Sequence, residues 1–95
     1  VPGRNALVTT LSHGSEISSL IAGNYNNQQT VGVAFDATIL AVRADNGSDS
    51  FSSTALANAI DYARVQGVDV INLSLGSSTP SSTEVREAIR RATQA

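Results

Sequence analysis

The sequence predicts an α/β fold: a three-layer sandwich in which helices cover both faces of a parallel sheet. Two apolar stretches of strand length, residues 37–44 and 68–76, flank a segment with helical periodicity. Strands that are almost continuously apolar are typical of parallel sheets buried on both faces. Residues 37–74 therefore indicate a βαβ unit, with the right-handed crossover that such units adopt.

The first predicted helix covers residues 13–22. Four residues follow the i, i+4, i+7 and i+8 spacing of one helix face: His13, Ile17, Leu20 and Ile21. Glu16 in the first turn complements the helix dipole, and Gly23 suits the position after the last turn. The opposite face carries small residues, so we expect this helix to pack closely inside the protein: Ser15, Ser18, Ser19 and Ala22.

A second helix is predicted over residues 54–66, with Ser52 or Ser53 as its N-cap and Gly67 as its stop signal. Its apolar face consists of Leu56, Ile60 and Ala63. Between the first strand and this helix, "DNGSDS" contains the strong turn signal Asn46-Gly47. Because ligands of parallel sheets gather beyond the carboxyl ends of the strands, this turn is a candidate wall of a site.

The third predicted helix follows Pro80, where Ser81 and Glu84 have the spacing of a capping box. Its apolar face consists of Val85, Ala88, Ile89 and Ala92. The chain alternates helix, strand, helix, strand, helix, which supports the α/β prediction and a single domain.

Composition limits the function. The 95 residues are 41% hydrophobic and 15% charged with a net charge of −2, which is typical of a globular domain with a modest core. The six basic residues are outnumbered by eight acidic ones and form no electropositive stripe, which argues against nucleic-acid binding. The absence of cysteine excludes disulfides, thiolate zinc sites and a cysteine nucleophile. No apolar run reaches the length of a membrane span, and the first ten residues lack a signal-peptide pattern.

His13 is the only histidine and a candidate general base, because imidazole takes and returns protons near neutral pH. A helix start favours the neutral imidazole that a base requires, and Gly14 leaves room beside it. The alternative is a structural histidine at a helix start. A histidine base also needs a nucleophile and an orienting carboxylate, and the residue pattern alone does not identify a complete triad in these 95 residues.

Two further segments are candidates for binding. Ser74, Leu75 and Gly76 end the second strand, where an exposed backbone could pair with an extended peptide or simply turn into a loop. "NYNNQQT", residues 24–30, offers amide and backbone oxygens that suit calcium, although an ordinary polar loop also explains it. A nucleotide-binding domain would share the topology, but no phosphate-binding glycine fingerprint follows either strand.

Three stretches, in this order, resemble the subtilisin-like serine peptidases, or subtilases: "HGSEISSLIAGN", "GVAFDATILAVRA" and "GVDVINLSLGS". The first is similar to the family's histidine motif, His-Gly-Thr-His-Val-Ala-Gly. The second is similar to its Gly-Val-Ala-Pro stretch with the strand that follows, and the third to the strand beside the substrate cleft. The resemblance covers nearly the whole chain, and it implies a subtilisin-like sandwich and serine endopeptidase activity.

The resemblance also implies roles for individual residues. His13 matches the catalytic histidine, and Ser74, Leu75 and Gly76 match the segment that pairs with the bound polypeptide substrate. The polar loop matches one that holds a structural calcium ion in many members, with Asn26 as a side-chain ligand and three residues as carbonyl ligands: Asn24, Gln28 and Thr30. Family habit implies a protein that acts outside the cell, in the periplasm or at the cell surface.

The chain departs from the family pattern at a few positions. Glu16 stands in place of the motif's second histidine, and Phe35 in place of proline. Serine replaces threonine or small residues at three positions: Ser15, Ser18 and Ser19. Because the family's catalytic aspartate precedes this region and its serine follows it, residues 1–95 are expected to be an internal fragment of the catalytic domain, inactive without the remainder. The alternative is a non-catalytic subtilase-like module that binds a peptide or a partner.

Overall fold

The computed structural model describes residues 13–23, 31–45, 51–75 and 81–94. The chain divides into two compact units, one formed by Leu7–Ala41 and the other by Val42–Ala95 together with Val1–Ala6. In the described ranges the regular elements are three helices: α1 (His13–Ala22), α2 (Ser53–Val65) and α3 (Thr83–Gln94). All three were predicted from the sequence.

Helix α1, in the first unit, has the predicted bounds. Gly23 follows its last residue and donates its backbone N–H to the carbonyl of Ser19 over 2.9 Å, which completes the last helical turn. Ile17 and Ile21 of the predicted apolar face are half-buried, whereas Leu20 is exposed. The expected close packing of the helix inside the protein is therefore only partial: Ser18 and Ala22 of the small-residue face are half-buried, whereas Ser19 is exposed.

Helix α2 begins and ends one residue earlier than predicted. Ser52 is the N-cap in an extended conformation, and its Oγ accepts the N–H of Ala55 at 3.1 Å. At the other end Gly67 has a φ of +80°, the left-handed conformation that commonly stops a helix. Both predicted boundary signals are confirmed.

The capping box predicted for α3 is wrong by one position. Ser82, not Ser81, caps the helix, with its Oγ accepting the N–H of Val85 at 3.2 Å. Glu84 therefore lies one position too early to complete the box. Its carboxylate instead accepts a hydrogen bond of 3.0 Å from the hydroxyl of Thr54 at the start of α2.

The core of the second unit lies between α2 and α3. Its buried members come equally from the two helices: Ala57, Ile60, Val85 and Ala88. Leu56, Ile71 and Ala92 pack against this cluster. The apolar faces predicted for both helices are thus turned toward each other, with Ile89 the exception because it remains 41% exposed.

Neither predicted strand forms a ladder in the described part of the chain. Residues 37–44 and 68–75 have no regular strand pairing, and an isolated antiparallel bridge joins Asp45 to Phe51. An apolar run indicates that its residues tend to be buried. To form a parallel strand, it also needs neighbouring strands to pair with and helices to cover it. Helices α2 and α3 bury their apolar faces against each other, and Val70 stays 83% exposed. The three-layer sandwich therefore remains a prediction.

Candidate active site

The candidate base stands at the start of a helix. His13 is the first residue of α1, as predicted, and its side chain lies outside the part of the chain that the structure describes. Glu16, which replaces the second histidine of the subtilase motif, lies in the first turn and is exposed. A carboxylate at that end complements the positive pole of the helix, so this departure is accommodated without burying a charge.

The carboxyl end of α1 is held by a second piece of chain. Residues 31–34, which we call the docking segment, donate three backbone hydrogen bonds to this end of the helix. Gly32 donates to Gly23 at 2.9 Å, Val33 to Leu20 at 3.1 Å and Ala34 to Ile21 at 2.7 Å. These bonds satisfy carbonyls that the end of a helix otherwise leaves without a partner.

The sequence pattern did not single out Gly32, although it lies in the stretch similar to Gly-Val-Ala-Pro. It is buried, and a Cβ added to it would lie 2.5 Å from the backbone nitrogen of Ala22 and 2.6 Å from the carbonyl carbon of Ile21. The available signal was a glycine between two valines, where neither a turn nor a helix end calls for one.

The proposed substrate segment lies partly within the described residues. Ser74 and Leu75 are exposed, and the Nδ2 of Asn72 donates a 2.7 Å hydrogen bond to the hydroxyl of Ser74. Gly76 lies outside the described residues. His13 belongs to the first unit, and Ser74 and Leu75 belong to the second.

The proposed calcium ligands lie outside the described residues: Asn24, Asn26, Gln28 and Thr30. In the described ranges no group of three or more histidine, aspartate or glutamate side chains is arranged to hold a metal ion. None of the helices described there is both long and apolar enough to cross a membrane.

A close ion pair precedes the predicted turn at Asn46-Gly47. The guanidinium of Arg43 donates to both carboxylate oxygens of Asp45, at 2.6 and 3.3 Å. Hydrogen bonding to that carboxylate, helped by its charge, raises the pKa of Arg43 above its ordinary value. The turn itself lies outside the described residues, and an isolated antiparallel bridge joins the residues that flank it, Asp45 and Phe51.

Comparison with known proteins identifies the family. The sequence model of the subtilase family matches residues 2–95. The chain belongs to the subtilase family. This subtilase is 36% identical over 93 residues to an alkaline protease of Alkalihalobacillus alcalophilus, a match that covers 98% of the chain and 24% of that relative. The same identity and chain coverage hold for Subtilisin Savinase of Lederbergia lenta, of which 34% is covered.

Thermitase of Thermoactinomyces vulgaris is 44% identical to this subtilase over 71 residues, which is 74% of the chain and 25% of thermitase. The chain thus spans between a quarter and a third of these three relatives. No solved structure matches it significantly. The resemblance inferred from the three motifs is confirmed.

Proposed function

We propose that this chain is the histidine-bearing part of a serine-type endopeptidase, in which an Asp/His/Ser triad hydrolyses peptide bonds. The observation that carries the proposal is the subtilase match across residues 2–95. His13, which the resemblance matches to the family's catalytic histidine, is the first residue of α1. Relatives named as proteases share this region at 36% identity, which supports the same reaction class.

In the proposed mechanism His13 is the general base and then the general acid. It accepts the proton of the serine hydroxyl as the oxygen attacks the peptide carbonyl, and it returns that proton to the leaving amine. The serine and the aspartate come from the remainder of the catalytic domain. The 95-residue chain alone is therefore expected to be inactive, because it holds a base with no partner to activate.

The proposed substrate contact is the segment Ser74, Leu75 and Gly76, whose backbone would align a polypeptide as an added strand. One feature of the described residues supports it. Ser74 and Leu75 are exposed, so an extended peptide could reach this stretch of the chain.

A structural calcium ion is the proposed cofactor, and the reaction itself requires none. The donor set fits this ion: Asn26 offers an amide oxygen, and Asn24, Gln28 and Thr30 offer backbone carbonyls, which are the hard ligands that calcium takes. The loop has no carboxylate, so other parts of the protein would supply the negative charge. We also propose, from the resemblance alone, a location outside the cytoplasm.

Removing the imidazole tests the function. In the full-length protein that contains this chain, His13→Ala should lower kcat on a general peptide substrate at least about 1,000-fold, since the serine loses its proton acceptor. Asn58→Ala, an exposed substitution on α2, is the matched control and should leave turnover unchanged.

Two outcomes would contradict the endopeptidase. One is turnover that survives His13→Ala. The other is an unmodified protein that binds peptides without cleaving them, which would favour the non-catalytic binding module.

A further inference from the structure

The docking segment is attached to α1 through its backbone. Its three N–H groups bond the carbonyls of Leu20, Ile21 and Gly23, whereas the side chain of Val33 is 96% exposed. The segment therefore gains little from burying that side chain. Its main interaction within the described residues is with the end of α1, to which three successive backbone hydrogen bonds attach it.

Gly32 makes this close approach geometrically feasible. The three atoms nearest to an added Cβ are all backbone atoms at the end of α1: Gly23 N is the nearest, followed by Ala22 N at 2.5 Å and Ile21 C at 2.6 Å. Backbone atoms cannot rotate away as a flexible side chain can. Any side chain at position 32 must therefore push the segment and the end of the helix apart.

Helix α1 transmits such a displacement along its axis. It has 10 residues, a length of about 15 Å, and its hydrogen-bonded turns make it a stiff body on this scale. His13 is the first residue and the docking segment holds the last turn. A shift of the last turn is therefore expected to move His13 at the first turn. A general base tolerates little displacement from its reacting partner.

We infer that Gly32 is a positioning residue for His13, acting through the docking segment and the length of α1. The inference rests on the proposed function, because the position of His13 affects the reaction rate only if His13 is the general base. It adds to the triad a residue that touches neither substrate nor imidazole.

The test uses the full-length protein with Gly32→Ala and, in case that variant does not fold, Val33→Pro, which removes the N–H bonded to Leu20. The measurements are kcat and KM per active site, counted by titration with a serine-reactive reagent. Both variants should lower kcat, Gly32→Ala by about 10- to 100-fold, while KM stays nearly constant. Val33→Ala should match the unmodified protein, since it changes only an exposed side chain.

A destabilising control separates positioning from stability. Ile60→Ala opens a cavity in the core of the other unit and should lower Tm, yet kcat per titrated site should not change. If Gly32→Ala and Val33→Pro likewise lower Tm but leave kcat per site unchanged, Gly32 is only structural and the inference is wrong.

A spectroscopic readout separates this inference from the proposed function. The imidazole resonance of His13, assigned by its loss in His13→Ala, should shift in Gly32→Ala and stay in place in Val33→Ala. Absence of peptide hydrolysis by the unmodified protein would overturn the proposed function, whereas an unmoved resonance in Gly32→Ala would overturn the coupling between Gly32 and His13.

Discussion

Gly67 shows how a single residue ends a helix. Its φ of +80° lies in the left-handed region, and its N–H donates to the carbonyl of Arg64 at 3.0 Å. An added Cβ would meet nothing within 4 Å, so the only strain from a substitution comes from the left-handed backbone conformation. This position therefore isolates the conformational cost of a side chain from any packing effect.

We expect Gly67→Ala to lower the free energy of unfolding by about 1 to 2 kcal/mol, the cost of holding an ordinary residue in the left-handed region. Gly67→Asn is the matched control and should lose less, because asparagine tolerates that region. Urea denaturation of both variants of the full-length protein measures the difference. Equal losses for alanine and asparagine would show that something other than backbone conformation acts at this site.

The pair of helices α2 and α3 is held by a small apolar core and by an ion pair between the two helices. Arg91 of α3 donates to both carboxylate oxygens of Asp61 on α2, at 3.1 and 2.8 Å. Arg64 adds a second cation, its Nε lying 3.5 Å from Asp61 Oδ1. Hydrogen bonding from Arg91, followed by the charges of both arginines, lowers the pKa of Asp61 below its ordinary value.

A lowered folded-state pKa means that ionised Asp61 stabilises the folded protein. This contribution is fully present above the carboxyl's unfolded pKa, about 4, and is lost as the pH falls through the lower folded value. At neutral pH we expect Asp61→Asn to cost up to about 1 kcal/mol, because the pair is partly exposed and screened. The difference between Asp61→Asn and the unmodified protein should shrink as the pH falls below about 4.

A double-mutant cycle with Arg91→Gln supplies the control. If Asp61 acts through Arg91, the two substitutions together should cost less than the sum of their separate effects in urea denaturation of the full-length protein. Strict additivity, or a cost of Asp61→Asn that does not change with pH, would contradict the ion-pair account.

At the scale of the whole molecule, apolar side chains are left uncovered within the described residues. In the second unit Val65, Val70 and Leu75 are exposed, and in the first unit Val33 and Leu20 are. The relatives are three to four times longer than this chain, so they contain additional chain that could cover such surfaces.

We therefore expect the isolated 95-residue chain to unfold with weak cooperativity. Two units with little buried apolar surface should give a broad thermal transition by circular dichroism, with a dependence on protein concentration if exposed faces associate. The full-length protein, measured in parallel, should give a sharper transition. A sharp, concentration-independent transition of the isolated chain would contradict the fragment interpretation.

The local elements were predictable because their determinants lie within a few residues. The bounds of α1, the Ser52 cap and the Gly67 stop depend on hydrogen bonds and backbone preferences that span about one helical turn. The α3 cap was misplaced by one residue because two adjacent serines, Ser81 and Ser82, offer the same cap chemistry. The family followed from three ordered motifs, which depend on sequence alone.

Tertiary structure alone decided which apolar residues are buried and what Gly32 does. Ile60 and Val70 are both apolar, yet Ile60 is 2% exposed and Val70 83% exposed, because Ile60, unlike Val70, lies where two helices meet. The contact of Gly32 with the end of α1 joins residues nine or more positions apart through hydrogen bonds that no local pattern encodes. The sequence by itself determined the three helices, the Gly67 stop, the family and the candidate base; contacts between distant segments decided burial and the docking of the chain on α1.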